Sequence, residues 1–207
     1  MKNIAYLISF ITTIILLNAC SDLLEREVVL SMTEHDVITT YGNTQARAYA
    51  IYTYLPDGFS YIDGAMMASA TDEAEHTLET SSVQKFNTGA WNERDNPDNA
   101  WSTNYAGIRV ANLFLATSDS VKMEYLRLDP QQQALYQTRL ANINNWKYEA
   151  RFLRAFFYFE LVKRFGGVPI IKEPVDLKED YKNFKRNSLS ECIQFICDEC
   201  DSAATGL

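Results

Sequence analysis

The sequence predicts an all-α protein made of helical hairpins that are interrupted by one long irregular loop. Apolar residues recur at steps of three and four in several separate segments, which is the spacing of one face of an α-helix. Residues 59–99 break this pattern with Gly, Ser, Thr, Asn and Asp, and so long a loop inside a compact domain is usually functional or disordered. No clear strand alternation competes with the helices, although residues 83–91 could form a short extended segment.

The first two predicted helices lie on either side of this loop. Helix formers and apolar residues predict a helix over residues 44–55, which ends at Pro56-Asp57-Gly58. Asp98 is placed to cap a second helix. The apolar face of that second helix is formed by Trp101, Tyr105, Ile108, Asn112 and Leu115.

The third predicted helix is the longest. It begins near Pro130, a residue favoured in a first helical turn, and its strongest part covers residues 143–165. One apolar stripe is formed by Ile143, Trp146, Ala150, Leu153, Phe157 and Leu161, and much of the remaining surface by Phe152, Phe156 and Phe159. A helix that is apolar nearly all round is predicted to be central and buried. Gly166 and Gly167 end it, and Pro169 prevents its continuation.

A fourth helix is predicted to begin at a capping box of Ser188 and Glu191 and to run to about Ala204. Its apolar stripe has no evident partner, so we expect that partner to lie in sequence outside these residues. Small and aromatic residues interleave, as at Ala150, Ala155 and Phe156. This interleaving resembles tetratricopeptide-type hairpins, which stack side by side to bury what one hairpin cannot.

The N-terminus predicts export. Lys2 precedes an apolar stretch over residues 4–17, which is shorter than the roughly 20 apolar residues that a membrane-spanning helix needs. Residues 1–19 are therefore expected to be a signal peptide. Leu17-Asn18-Ala19-Cys20 resembles a bacterial lipobox, so Cys20 is the expected lipidation site; the alternative is an ordinary signal peptide with an incidental cysteine. Residues 20–32 would be a charged tether, and residues 33–207 the helical domain.

Charge excludes one class of function. The formal net charge is −8 at pH 7, and the sequence has no Lys/Arg cluster of the kind that releases phosphate counterions. We therefore expect no nucleic-acid partner.

Three cysteines near the C-terminus, Cys192, Cys197 and Cys200, include a C-x-x-C. A zinc site needs a second pair of ligands, and neither histidine of the chain, His35 or His76, has suitable spacing. We interpret the cysteines as core residues of the fourth helix, with a disulfide or a metal as the alternatives. No metal and no cofactor is predicted.

Charged residues elsewhere have structural interpretations. Arg151 and Arg154 project from an apolar helix, so they are expected to pair with Glu149 or with a carboxylate elsewhere. A catalytic interpretation would have to use Asp72, Glu73, Glu75 and His76, but adjacent charges in a polar loop are usually solvated. Calcium binding at Asp95 and Asp98 lacks the glycine and terminal glutamate of an EF-hand. The chain is not expected to be an enzyme.

Several separated motifs agree in order and spacing with one known family. They are Trp101-x3-Tyr105-x2-Ile108-x2-Ala111-Asn112, then residues 149–159 (EARFLRAFFYF) running into residues 162–169 (VKRFGGVP), with the Arg186-x-Ser188-x2-Glu191 helix start and the lipobox at Cys20. Together they resemble the N-terminal part of the SusD/RagB family of Bacteroidetes outer-membrane lipoproteins.

The resemblance implies a lipid-anchored nutrient-binding protein that faces outward from the outer membrane. It would capture oligosaccharides, or in some members other nutrients such as peptides, and deliver them to a TonB-dependent, SusC-like transporter. Members of the family are much longer, so this chain would correspond to their amino-terminal part. The alternative hypothesis is a tetratricopeptide-like scaffold lipoprotein that binds peptides or proteins.

The ligand site is predicted in the long loop. Sugars are bound by aromatic faces that stack on C–H groups, with amides and charged groups bonding the hydroxyls. The loop offers this mixture in Trp91, Asn92, Arg94 and Asn96, and the family's glycan contacts include the matching region; Tyr61 is a further candidate. Trp91 could instead pin the loop to the helices. Trp101 and Trp146 are expected in the core because they lie on helical stripes.

Overall fold

The computed structural model describes residues 33–176 and 178–206. The predicted signal peptide, the Cys20 anchor and the tether over residues 20–32 lie outside the described residues. The α-helices are, in chain order, α1 (Glu34–Thr39), α2 (Tyr41–Tyr52), α3 (Gln84–Thr88), α4 (Trp101–Thr117), α5 (Glu124–Arg127), α6 (Gln133–Phe165) and α7 (Leu189–Ala204). Short 3-10 helices cover Met67–Ala70, Ser118–Ser120, Pro130–Gln132 and Tyr181–Asn183. The part of the chain described here has isolated β-bridges and no strand, which confirms the all-α prediction.

Helix α6 is the element on which α2, α4 and α7 pack. Its predicted stripe is buried as expected, with Ala150, Phe157 and Leu161 fully inaccessible to solvent. Gly107 of α4 allows the closest approach, because a Cβ there would lie 2.7 Å from the Phe157 ring. The close packing of α4 against α6 therefore depends on glycine at position 107.

The prediction that α6 is buried on every face is wrong. Phe152 and Phe159 are 47% and 49% exposed, because the neighbouring helices cover only the other faces of α6. The helical period correctly places apolar residues on several faces of α6. It carries no information on how many neighbouring helices are available to cover those faces.

The ends of the helices follow local signals in most places. Gly166 ends α6 with a φ of 68°, and its N–H donates to the Val162 carbonyl at 3.0 Å. Ser188 and Glu191 form the predicted capping box of α7. Helix α2 begins and ends three residues earlier than predicted, and residues 53–55 continue it as a turn.

Two local predictions are wrong. Asp98 does not cap α4, whose N-cap residue is Ala100 without a side-chain bond; the Asp98 carboxylate accepts a hydrogen bond from Arg164 instead. The segment 83–91 is not extended but contains α3, which ends at Gly89 with a φ of 68°. In both places a tertiary contact or a glycine turn outweighs the local preference.

The long loop over residues 59–99 has a small core of its own. We call this the satellite cluster: Ile62, Ala65 and Val83 are buried, and Tyr61, Ala70 and Phe86 pack against them. Side chains also tie the backbone of the loop together. Asp63 accepts from the Ser82 N–H at 2.9 Å, and Asn87 donates to the Ser69 carbonyl at 3.0 Å. The loop is irregular but internally cross-linked.

The buried charge of α6 is paired, as expected. Arg154 donates to Glu199 of α7 at 2.5 and 2.9 Å and to Asn112 of α4 at 2.7 Å, and Arg151 reaches the same Glu199 at 3.2 Å. Glu149, the other partner considered, accepts from the Tyr52 hydroxyl. Arg154 thus joins three helices.

The cysteine prediction is correct for one thiol. Cys192 is buried, and its Sγ lies 3.4 Å from the Val168 carbonyl oxygen. Cys197 is exposed and Cys200 half-buried, and all three are free thiols. Core packing therefore describes Cys192 and is wrong for Cys197, because α7 presents that side to solvent.

Within the described ranges, no helix is long and apolar enough to cross a membrane.

Candidate functional site

Trp91 is a partly exposed aromatic residue that follows α3. The residue is 47% exposed, and its ring packs against that of Phe86 with centroids 5.6 Å apart and ring planes tilted by 47°. Phe86 in turn packs on the satellite cluster. The Ala90 N–H donates to the Lys85 carbonyl at 3.0 Å, which folds the chain back after α3. Trp91 is therefore supported by Phe86 while nearly half of the residue is accessible to solvent.

Residues 91–95 form a tight turn, called the Trp91 turn below. Asn92 and Asp95 exchange backbone hydrogen bonds at 3.2 and 3.1 Å. The Asn92 side-chain oxygen accepts from the N–H groups of Arg94 and Asp95, at 2.9 and 3.2 Å. Lys85 of α3 binds both carboxylate oxygens of Asp95, at 2.6 and 2.8 Å. Asn92 thus shapes the turn, and Asp95 fastens it to α3.

Arg94 and Asn96 occupy different settings. Arg94 is exposed on the same turn as Trp91 and Asn92. Asn96 is half-buried, and its side-chain oxygen accepts from the Asp98 N–H at 3.0 Å. The structure therefore brings Trp91, Asn92 and Arg94 together at the surface and places Asn96 at the foot of the turn.

Tyr61 lies apart from the Trp91 turn, in a cleft of about 240 Å³. The cleft is lined by residues 53–57, 60–61, 97–100, 103–104 and 160. The Tyr61 hydroxyl accepts a hydrogen bond from Arg164 Nη2 at 2.5 Å. Burial, with the negative charge of Asp98, raises the pKa of Tyr61 to about 12, so the phenol stays neutral.

Sequence reasoning missed the charged group beside this cleft. We call it the Arg164 cluster: Arg164, Asp98, Glu160 and Tyr61. Arg164 Nε donates to Asp98 at 2.8 Å, and Nη1 donates to the Glu160 carboxylate and, at 3.1 Å, to its carbonyl. Although burial acts in the opposite direction, hydrogen bonds from Lys163 and Arg164 lower the pKa of Glu160. The available signal was two opposite charges four residues apart on an apolar helix.

The residues considered for catalysis and calcium have ordinary surroundings. Asp72, Glu73 and Glu75 are exposed, and His76 is half-buried. Asp95 is paired with Lys85, and Asp98 with Arg164. Among the residues that the structure describes, no group of three or more His, Cys, Asp or Glu side chains is arranged to hold a metal ion.

Comparison with known families identifies the class of protein. The family model described as SusD-like, "Starch-binding associating with outer membrane", matches residues 31–207. The chain belongs to the SusD-like family. A comparison with curated protein sequences gives no match.

Solved structures share the fold. A SusD-like protein from Bacteroides fragilis matches with a TM-score of 0.62 and 20% identity, over 84% of this chain and 31% of its own. A SusD-like carbohydrate binding protein from the same species gives 0.62 and 22%, over 83% and 32%. A laminarin binding SusD-like protein gives 0.57 and 21%, over 82% and 34%. The chain therefore spans about a third of the length of these structures.

Proposed function

We propose that this chain is part of a cell-surface lipoprotein that captures oligosaccharides and delivers them to a TonB-dependent, SusC-like transporter. In this proposal Cys20 carries the lipid that holds the protein on the outer membrane. Membership of the SusD-like family supports the proposal, as do relatives whose names describe carbohydrate and laminarin binding. The role is one of binding and transfer, without a chemical step.

One observation carries the assignment of the site. Trp91 packs against Phe86 and is still 47% exposed, in an otherwise polar turn. A flat apolar face suits the C–H face of a pyranose ring, and burial of that face supplies the driving force. Water leaves both surfaces when they stack.

Polar groups beside the indole supply orientation. The Arg94 guanidinium is exposed on the same turn and can donate to sugar hydroxyls, as can the Asn92 amide N–H groups. The Asn92 oxygen is already used within the turn. The neighbouring charges of Lys85 and Asp95 neutralise each other in an ion pair, which suits a neutral ligand.

Calorimetric titration of the full-length lipoprotein in detergent tests this function. Laminarihexaose and maltohexaose are the probes, with a tetrapeptide mixture to represent the scaffold alternative. Trp91→Ala is expected to weaken binding of the preferred hexaose by about tenfold or more, as for a central aromatic contact. Phe152→Ala is the matched control, because Phe152 is also 47% exposed but lies on α6.

The outcomes separate the hypotheses. Binding of a hexaose that Trp91→Ala weakens and Phe152→Ala leaves unchanged supports the proposal. Binding of peptides and of neither sugar contradicts it. Co-purification of the protein with a transporter from outer membranes tests the association that delivery requires. Loss of the protein from the membrane fraction in Cys20→Ser tests the lipid anchor.

A further inference from the structure

Arg164 contacts both ends of the long loop. Its Nη2 donates to the hydroxyl of Tyr61, near the start of the loop, at 2.5 Å. Its Nε donates to Asp98, at the end of the loop, at 2.8 Å. A single side chain on α6 therefore closes a loop of about forty residues at its base.

The guanidinium is itself held in place. Its Nη1 donates to the carboxylate and the carbonyl of Glu160, one turn earlier on α6, and Lys163 binds the other Glu160 oxygen at 2.7 Å. Only 10% of the Arg164 side chain is exposed. The guanidinium group therefore has little freedom to rotate, and the two ends of the loop have a fixed attachment point.

Two routes of contact lead from Arg164 to Trp91. From Tyr61 the route passes through the satellite cluster to Phe86, which carries the indole. From Asp98 it passes through the hydrogen bond of the Asp98 N–H to Asn96, and along the chain to the adjacent Asp95, which Lys85 binds on α3. Both routes reach the helix that precedes the Trp91 turn.

We propose that Arg164 is a positioning residue for Trp91: it fixes both ends of the loop and thereby holds the indole where a sugar ring can stack on it. This inference rests on the proposed glycan-binding function. Lysine cannot replace arginine here, because one ammonium cannot present the planar fork that serves Asp98, Glu160 and Tyr61 together. Arg164 acts without touching the ligand.

A double-mutant cycle tests the coupling. In the full-length lipoprotein, Arg164→Lys is expected to weaken hexaose binding about tenfold, which is an ordinary coupling between groups in one network. In a Trp91→Ala background the same change is expected to have almost no further effect. A structural role unrelated to Trp91 would give additive losses, and additivity would overturn the proposal.

The matched control is Arg154→Lys. Arg154 lies on the same helix, is also buried and also binds several partners, but those partners are on α4, on α7 and on the connector between α6 and α7, residues 166–188, where it binds the Lys172 carbonyl. Hexaose affinity is expected to stay within about twofold of the wild type. Equal losses in Arg154→Lys and Arg164→Lys would overturn the proposal.

A second measurement needs no ligand. Labelled with 5-fluorotryptophan, the chain is expected to give one ¹⁹F NMR resonance for each of its three tryptophans. Arg164→Lys is expected to shift or broaden the Trp91 resonance and to leave that of Trp146 unchanged. An unchanged Trp91 resonance overturns the inference even if the wild type binds glycan. If no hexaose binds the wild type, the proposed function fails, while this readout still decides whether Arg164 positions the indole.

Milder variants cover the case in which Arg164→Lys does not fold. Tyr61→Phe removes one hydroxyl and keeps the ring against the satellite cluster, and Asp98→Asn removes one charge at the other end of the loop. Each is expected to give a smaller shift of the same Trp91 resonance. No shift in either variant contradicts the proposed positioning.

Discussion

Gly107 of α4 faces Phe157 of α6 with no room for a side chain: a Cβ on Gly107 would lie 2.7 to 2.9 Å from three carbons of the ring. Phe157 is fully buried, so its ring cannot move into solvent to make space. Overpacking of a dense core of this kind usually costs about 1–3 kcal/mol.

The first prediction follows from this contact. Gly107→Ala is expected to lower the free energy of unfolding by about 1–3 kcal/mol, despite the better helix propensity of alanine. Gly42→Ala is the control, because Gly42 lies in α2 with open space around the position of a Cβ. Urea unfolding followed by circular dichroism measures both. Equal stability of the two variants would show that α4 and α6 can move apart at no cost.

The second prediction concerns the buried pair of Arg154 and Glu199. Their side chains are 6% and 9% exposed, so removal of one partner leaves the other charge buried. Glu199→Ala is expected to lower the free energy of unfolding by about 3–5 kcal/mol. Asp119→Ala removes an ion pair with Lys147, and because the Asp119 side chain is 81% exposed the expected cost is below about 1 kcal/mol. Denaturant titration distinguishes the two, and a small cost for Glu199→Ala would mean that water reaches Arg154.

How far the sequence predicts this fold depends on the range of the interaction. The sequence predicts the capping box of Ser188 and Glu191, the stop at Gly166 and the stripe of α6, because each depends on neighbours within a few residues. Arg164 and Asp98 are 66 positions apart, and no local pattern joins them. Local pattern therefore predicts a helix cap for Asp98, the best local use of an aspartate, and does not show its pairing with Arg164.

The candidate site was predictable to a similar degree. An aromatic residue among amides and charges in a polar loop indicated Trp91, Asn92 and Arg94, which the structure places on one turn. It gave no indication that Tyr61 lies in a separate cleft, because that position depends on where the loop meets α6. The individual roles of these residues in binding stay predictions.

The third prediction concerns how the stability of the protein changes at acidic pH. Because the folded-state pKa of Glu160 is lowered, its contribution to stability is present above its ordinary value of 4.5 and is lost as the pH falls through the folded value. Glu160→Gln lacks this titration. The melting temperature of the wild type is therefore expected to exceed that of Glu160→Gln near neutrality, and the gap is expected to narrow below pH 4.5. Thermal scans at a series of pH values measure it, and a gap that widens on acidification would have the wrong sign.

The fourth prediction orders the three thiols of α7 by accessibility. Cys197 is exposed, Cys200 is half-buried, and Cys192 is enclosed against Val168. Burial raises the pKa of the Cys200 thiol, with a further contribution from neighbouring Cys197. Since the thiolate is the nucleophile, a raised pKa slows alkylation at a given pH.

Labelling the folded, full-length protein with iodoacetamide at pH 8 is therefore expected to modify Cys197 first and Cys200 more slowly. Cys192 should react only after unfolding in urea. Peptide mass spectrometry follows each site, and Cys197→Ser removes the fast phase without changing the order of the others. Early modification of Cys192 in the folded protein would mean that α7 separates from the connector at Val168, and that the packing of α7 on α6 is open on the time scale of the reaction.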